Sequence, residues 1–119
     1  MRKIILGFKH AFEGILDVAS SEINFRIHLA AGLAAVSLGF YLDISKSEWL
    51  VVLLCLAMVM AAEAFNSAIE KLVDFISPDF HPKAGEIKDA AAGAVLITAI
   101  IAAIIGCMVF LPKIIARFN

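Results

Sequence analysis

The sequence predicts an all-α membrane protein, with an amphipathic surface helix followed by three transmembrane helices in a single domain, residues 1–119. Two observations carry this. Of the 119 residues, 62% are hydrophobic and only 18% charged, and the mean hydropathy is +0.95. Soluble domains hold roughly 45–50% apolar and about 25% charged residues, and a chain this short cannot bury so large an apolar excess within itself. The second observation is arrangement: the apolar residues beyond position 21 fall in runs near the length of a membrane span, whereas those before it fall on one helical arc.

Residues 1–21 form the first element. At about 100° per residue, Ile4, Ile5, Phe8, Ala11, Phe12, Ile15, Leu16 and Ala19 share one arc, while Arg2, Lys3, Lys9, His10, Glu13, Asp17 and Ser20 occupy the other. Such a helix lies on a membrane surface; the same stripe would also serve for packing on another subunit. The apolar run Ile4-Ile5-Leu6 is too short for a signal peptide. The first span covers residues 27–42 and ends at Tyr41-Leu42, an aromatic at headgroup level. The second covers 49–74, purely apolar from Trp49 to Ala62 and then patterned as a helix. The third, 90–111, carries no charge at all and opens on small residues that allow close helix approach. Loops are expected at 43–48 and 75–88.

With three spans, Arg2, Lys3, Lys9, Arg26, Lys71, Lys83 and Lys88 share one side, against Lys46, Lys113 and Arg117 on the other. The excess of basic residues places the N-terminus in the cytoplasm.

The second span carries the chemistry. Glu63, Asn66, Ser67, Glu70 and Asp74 fall at about 0°, −60°, +40°, −20° and +20° on the helical wheel, one continuous face. Ionisable groups within a span cost about 2.5–3.5 kcal/mol each on insertion scales and mark functional positions. At 1.5 Å per residue, Glu63 lies about 21 Å from Trp49 and Glu70 about 31 Å. In a hydrocarbon core near 30 Å thick, Glu63 sits inside the cytoplasmic boundary and Glu70 at it. Helix glue needs only a single Asn or Ser; three acids on one face repel one another unless a cation sits among them. Glu22, Asn24 and Arg26 precede the first span and Lys88 and Asp89 the third, at the same boundary. Carboxylates at Glu22 and Glu70 suit Mg²⁺, which takes phosphate oxygens and waters as further ligands. Lys88 and Arg26 are placed either to hold phosphate charge or to snorkel as anchors.

Other classes fare worse. The formal net charge of −1 removes the electrostatic case for nucleic acid. Cys55 and Cys107 lie in apolar runs without Cys-x-x-Cys spacing, so neither a disulfide framework nor a zinc site follows. There is no P-loop, no protein-kinase H-R-D or D-F-G, no G-x-S-x-G and no H-E-x-x-H. A proton-coupled transporter typically uses one isolated membrane carboxylate, whereas here acids cluster with Lys and Arg; a purely structural assembly factor would not need the stripe.

The run Glu63-Ala-Phe-Asn66-Ser-Ala-Ile-Glu70-Lys-Leu-Val-Asp74 resembles the signature of the prokaryotic diacylglycerol kinase family, and Glu22-Ile-Asn24-Phe-Arg26 and Lys88-Asp89-x-x-x-Gly-Ala-Val-Leu are similar to its flanking motifs. The resemblance spans nearly the whole chain. It implies a multi-pass homotrimer of the bacterial plasma (inner) membrane, with sites at subunit interfaces, that transfers the γ-phosphoryl of Mg-ATP to a lipid alcohol. By position it implies Glu63 as general base with Asn66 beside it, and Glu22 and Glu70 as metal ligands that also bound the nucleotide. It implies nucleotide contacts from His10 (where the diacylglycerol enzymes carry Tyr), Asp79, Phe80, His81, Lys88 and Asp89, with Asn24, Arg26 and Asp74 in support. The family acts on diacylglycerol or undecaprenol. Asn24-Phe25-Arg26-Ile27-His28 resembles the undecaprenol type, since the other usually has an acid where His28 stands.

Orientation is open to direct measurement. A reporter active only in the cytoplasm should be silent when fused after Asn119 and active when fused before Met1; the reverse pattern would invert the topology.

Overall fold

In the computed structural model, which describes all residues 1–119, the chain is four helices: α1 (Arg2–Ser21), α2 (Ile23–Leu42), α3 (Lys46–Ile76) and α4 (Pro82–Phe118). The last three are long and apolar enough to cross a membrane. At 1.5 Å per residue, α3 is about 46 Å long and α4 about 55 Å, so both extend beyond a hydrocarbon core near 30 Å.

Each junction has a local cause. One residue separates α1 from α2: Glu22 is extended at φ −112° and ψ 112°, while its N–H still bonds the Val18 carbonyl of the preceding helix. The α2 end is tighter. Asp43 takes the left-handed conformation at φ 52°, and its N–H reaches the Gly39 and Phe40 carbonyls. Ile44 then tucks under, 5% exposed. Ser45 opens α3 through a capping box: the Ser45 hydroxyl accepts from the Glu48 N–H at 3.2 Å, and the Glu48 carboxylate accepts from the Ser45 N–H at 2.9 Å. A cap of this kind is worth about 1 kcal/mol. α4 begins with His81 as N-cap and Pro82 at its first position, where a missing N–H costs nothing.

These caps account for the differences from the sequence reading. The loop expected at 43–48 shrinks to 43–45, and the one at 75–88 to 77–81. Hydropathy marks only the apolar part of a helix; capping and periodicity carry α3 and α4 onward through polar turns. α2 likewise starts before the apolar run, at Ile23. α4 also runs past 111 through Pro112, which removes a backbone donor from its interior. Its last turns are held from the side. Lys113 Nζ lies 3.2 Å from Glu48 Oε1, and Arg117 stacks 4.5 Å over the Tyr41 ring and donates to its hydroxyl.

Packing is uneven. α3 is the central element, packed against α4 along most of its length and against α2, while α1 touches only the ends of α2 and α3. Ile44, Val52, Val109 and Phe110 form a core beside Trp49 and Leu56 at the α2–α3 turn. Close approach there needs Gly39, whose missing Cβ would lie 2.8 Å from the Trp49 ring. Only 14 of the 119 residues are buried, and the apolar residues of α1, such as Ile4, Phe8, Phe12 and Leu16, lie exposed. One chain therefore leaves most of its apolar surface to be covered by lipid or by other subunits.

Two glycine substitutions should move stability in opposite directions. Gly39→Ala drives a methyl into the Trp49 and Ile44 side chains and should cost about 1–3 kcal/mol, read as a lowered melting temperature in detergent micelles. Gly14→Ala, whose Cβ meets nothing within 4 Å, should stabilise α1 by about 0.5–1 kcal/mol. Equal melting temperatures for the two would mean that the Gly39 contact does not constrain the fold.

Candidate active site

The polar face of α3 is buried where it meets the α1–α2 joint and α2. Glu63, Asn66 and Ser67 are 3%, 7% and 1% exposed, although the core at the opposite end of the bundle is wholly apolar. Burying polar groups at this density costs free energy unless each finds a partner, so their partners define the site.

Ser67 donates its hydroxyl to Glu22 Oε1 at 3.2 Å. Glu22 reaches it because the extended residue between α1 and α2 turns its side chain toward α3 rather than along a helix. Asn66 Nδ2 lies 3.5 Å from Glu70 Oε1, one turn further along α3. His28, from the second turn of α2, brings Nε2 to 3.9 Å from Glu63 Oε2. Glu70 follows two turns further along the same face of α3. The structure thus brings Glu22, Glu63, Asn66 and Glu70 to one locus from two elements. The Asn66 Oδ1 oxygen is buried and has no hydrogen-bond partner, an omission that ordinarily costs about 1–3 kcal/mol.

The rim is ionic. Lys88 of α4 is hydrogen-bonded to Asp74 of α3, and Lys71 reaches Asp17 of α1 at 2.7 Å. Arg26 donates to the Ser20 carbonyl at 3.1 Å, bracing the α1–α2 joint. These exposed pairs contribute little stability individually; their consequence is to hold the ends of α1 and α4 against the polar end of α3.

Other expected residues lie apart from this locus within the single chain. His10 sits on the exposed face of α1 and pairs with Glu13 at 3.4 Å. Phe80 is 94% exposed. Asp79 lies in the 77–81 turn, and His81 spends its Nδ1 accepting from the Lys83 N–H. Asn24 and Asp89 are exposed. No three His, Cys, Asp or Glu side chains converge as a ready metal cage. That fits Mg²⁺ no worse, since this ion takes one or two carboxylates and fills its remaining positions with water and phosphate. Glu22 and Glu70 carry the hard oxygens such an ion takes, and the unpartnered Asn66 oxygen lies one turn from Glu70 on α3.

Two participants are not among the expected site residues. Ser67, the partner of Glu22, was visible on the helical wheel, but its contact is with a residue 45 positions away. His28, apart from its value in telling the family's types, gives no signal by itself: a histidine on an apolar helix has no periodic pattern to betray its neighbour.

The chain matches the model of the family described as prokaryotic diacylglycerol kinase over residues 9–110. It is 41% identical over 114 residues to a protein named undecaprenol kinase from Bacillus subtilis, covering 96% of this chain and 93% of that one. Diacylglycerol kinase from Synechocystis is 33% identical, covering 95% of this chain and 65% of its own length. Diacylglycerol kinase from Escherichia coli K12 is also 33% identical, covering 89% and 87%. The matched span contains every residue of the buried locus, and with these similarities the chain belongs to the prokaryotic diacylglycerol kinase family and is a lipid kinase.

Proposed function

We propose that this kinase transfers the γ-phosphoryl of ATP to undecaprenol, giving undecaprenyl phosphate, at the cytoplasmic face of the bacterial plasma membrane. The observation that carries the chemistry is the cluster in which the buried Glu63, Asn66 and Ser67 meet the half-buried Glu22 and Glu70 at one end of the membrane helices. The choice of acceptor is supported by the 41% identity to the Bacillus subtilis protein named undecaprenol kinase. Diacylglycerol is the second reading, supported by the names of the relatives at 33%.

Glu63 is the general base. The acceptor hydroxyl gives its proton to the Glu63 carboxylate as its oxygen bonds the γ-phosphorus, and the bond from that phosphorus to the bridging oxygen breaks, leaving ADP with the electron pair. Phosphoryl transfer leaves a protein chiefly positioning, charge stabilisation and this proton. Glu22 and Glu70 would hold Mg²⁺, and the ion would supply neutralisation of phosphate charge. Ser67 and Asn66 orient those two carboxylates. Lys88, held by Asp74, and Arg26 would meet the phosphate charge, with Asp89 at the start of the third span and Asn24 near the α1–α2 joint in support.

The nucleotide contacts expected of His10, Asp79, Phe80 and His81 belong, in this reading, to a site completed by neighbouring copies. A homotrimer with sites at subunit interfaces explains why these residues stand away from the buried locus of their own chain. It also gives the exposed apolar faces something to pack against. The N-terminus and the 77–81 turn lie in the cytoplasm, where ATP is, and α1 lies in the membrane surface with its apolar arc in the lipid.

Three measurements test this. With ATP and Mg²⁺ in mixed micelles, kcat/KM should be higher for undecaprenol than for diacylglycerol; the opposite ranking would support the second reading, and phosphorylation of neither lipid would overturn both. Glu63→Gln retains shape and hydrogen bonding but cannot take a proton. It should lower kcat by about 10²–10⁴-fold with little change in KM for ATP, and near-parental kcat would leave Glu63 a packing residue. Glu70→Gln should raise the Mg²⁺ concentration needed for half-maximal activity about tenfold or more. An unchanged Mg²⁺ requirement would remove Glu70 from the metal site.

A further inference from the structure

A cavity of about 430 Å³ opens between α2, α3 and α4. Its walls are apolar, built from residues such as Ala31, Ala35, Leu56, Val59 and Ala103. His28 is the one basic side chain that lines it. Its place is at one end: α2 enters the cavity with His28, antiparallel α3 leaves it at Met60, and α4 enters at Ala99. That is the end nearest Glu63, one turn beyond Met60 on α3. The His28 ring therefore touches the apolar cavity on one side and approaches the Glu63 carboxylate on the other, at 3.9 Å.

The carboxylate is almost wholly enclosed, with 4% of its side chain exposed against 26% for His28. The one hydrogen bond within 3.5 Å that Asn66 makes along α3 goes to Glu70 and not to Glu63. A separation of 3.9 Å is about 1 Å longer than a hydrogen bond, and catalytic hydrogen bonds are often long before substrate is bound and tighten with it. Once that separation closes, an imidazole with a proton on Nε2 would donate to Oε2 and leave Oε1 directed to another partner.

We propose that His28 is a positioning residue for the kinase reaction: it holds one oxygen of Glu63, so that the other meets the hydroxyl of an acceptor whose apolar stem occupies the α2–α3–α4 cavity. The assignment rests on Glu63 acting as the base. It makes no use of His28 as a proton acceptor. Its role is to fix a carboxylate that no backbone donor fixes, and a misplacement of about 1 Å at a reacting group can cost about 10²-fold.

The test is a double-mutant cycle on the purified full-length enzyme in micelles with undecaprenol and ATP, with melting temperatures alongside. His28→Leu should lower kcat about 10- to 100-fold with KM for ATP unchanged, and His28→Gln, which keeps an amide donor at that reach, should recover most of that loss. In the Glu63→Gln background, His28→Leu should have no further effect beyond about twofold, because the interaction it removes is already gone. Independent, multiplicative losses in the cycle, or a His28→Gln enzyme as impaired as His28→Leu at equal melting temperature, would overturn the assignment. If instead Glu63→Gln alone keeps parental kcat, the base reading itself fails. That outcome is distinct from a base-dependent enzyme indifferent to His28.

Discussion

Placing a carboxylate among membrane helices is costly, and the polar half of this molecule is arranged around the residues that meet that cost. Glu63 is nearly sealed off on α3, yet an imidazole from α2 lies 3.9 Å from its carboxylate. Removing that partner would leave a charge in apolar surroundings, which is far more destabilising than never having placed it there. The opposite end of the bundle is built by other rules. There a capping box, a glycine against an indole and a small apolar core fix the turn between α2 and α3. The buried polar groups are thus gathered at one end and the wholly apolar core at the other, with the antiparallel α3 running between them.

That division makes sense of how little the chain buries. A lipid kinase must bring an apolar lipid to a polar reacting group. A tightly packed three-helix core would exclude the lipid, whereas this chain leaves an apolar cavity between α2, α3 and α4 that ends at His28, beside Glu63. The ion pairs Lys71–Asp17 and Lys88–Asp74 then tether α1 and α4 around that locus without filling it.

Much of this was legible in the residues. The helical wheel placed Glu63, Asn66, Ser67, Glu70 and Asp74 on one face, and the structure keeps that face together, because α-helical periodicity is a local property. The three membrane helices followed from apolar runs for the same reason. Helix ends were less legible: 82–88 reads as loop by hydropathy but is helix by virtue of His81 and Pro82. Contacts between elements were not legible at all. Nothing in the spacing of Ser67 and Glu22, or of His28 and Glu63, announces that they meet, since those distances are set by how α2 crosses α3. His10 and Phe80 show the converse, residues whose assigned chemistry has no counterpart in one chain's own packing.

The joint at Glu22 has a mechanical consequence. A single extended residue connects α1 to α2, and its side chain is hydrogen-bonded to the buried Ser67. With no slack of its own, the joint lets α1 tilt only through rotation about the bonds of Glu22 itself, and that rotation swings the carboxylate relative to α3. The tilt of α1 and the position of the Glu22 carboxylate beside Ser67 are therefore coupled through two dihedral angles.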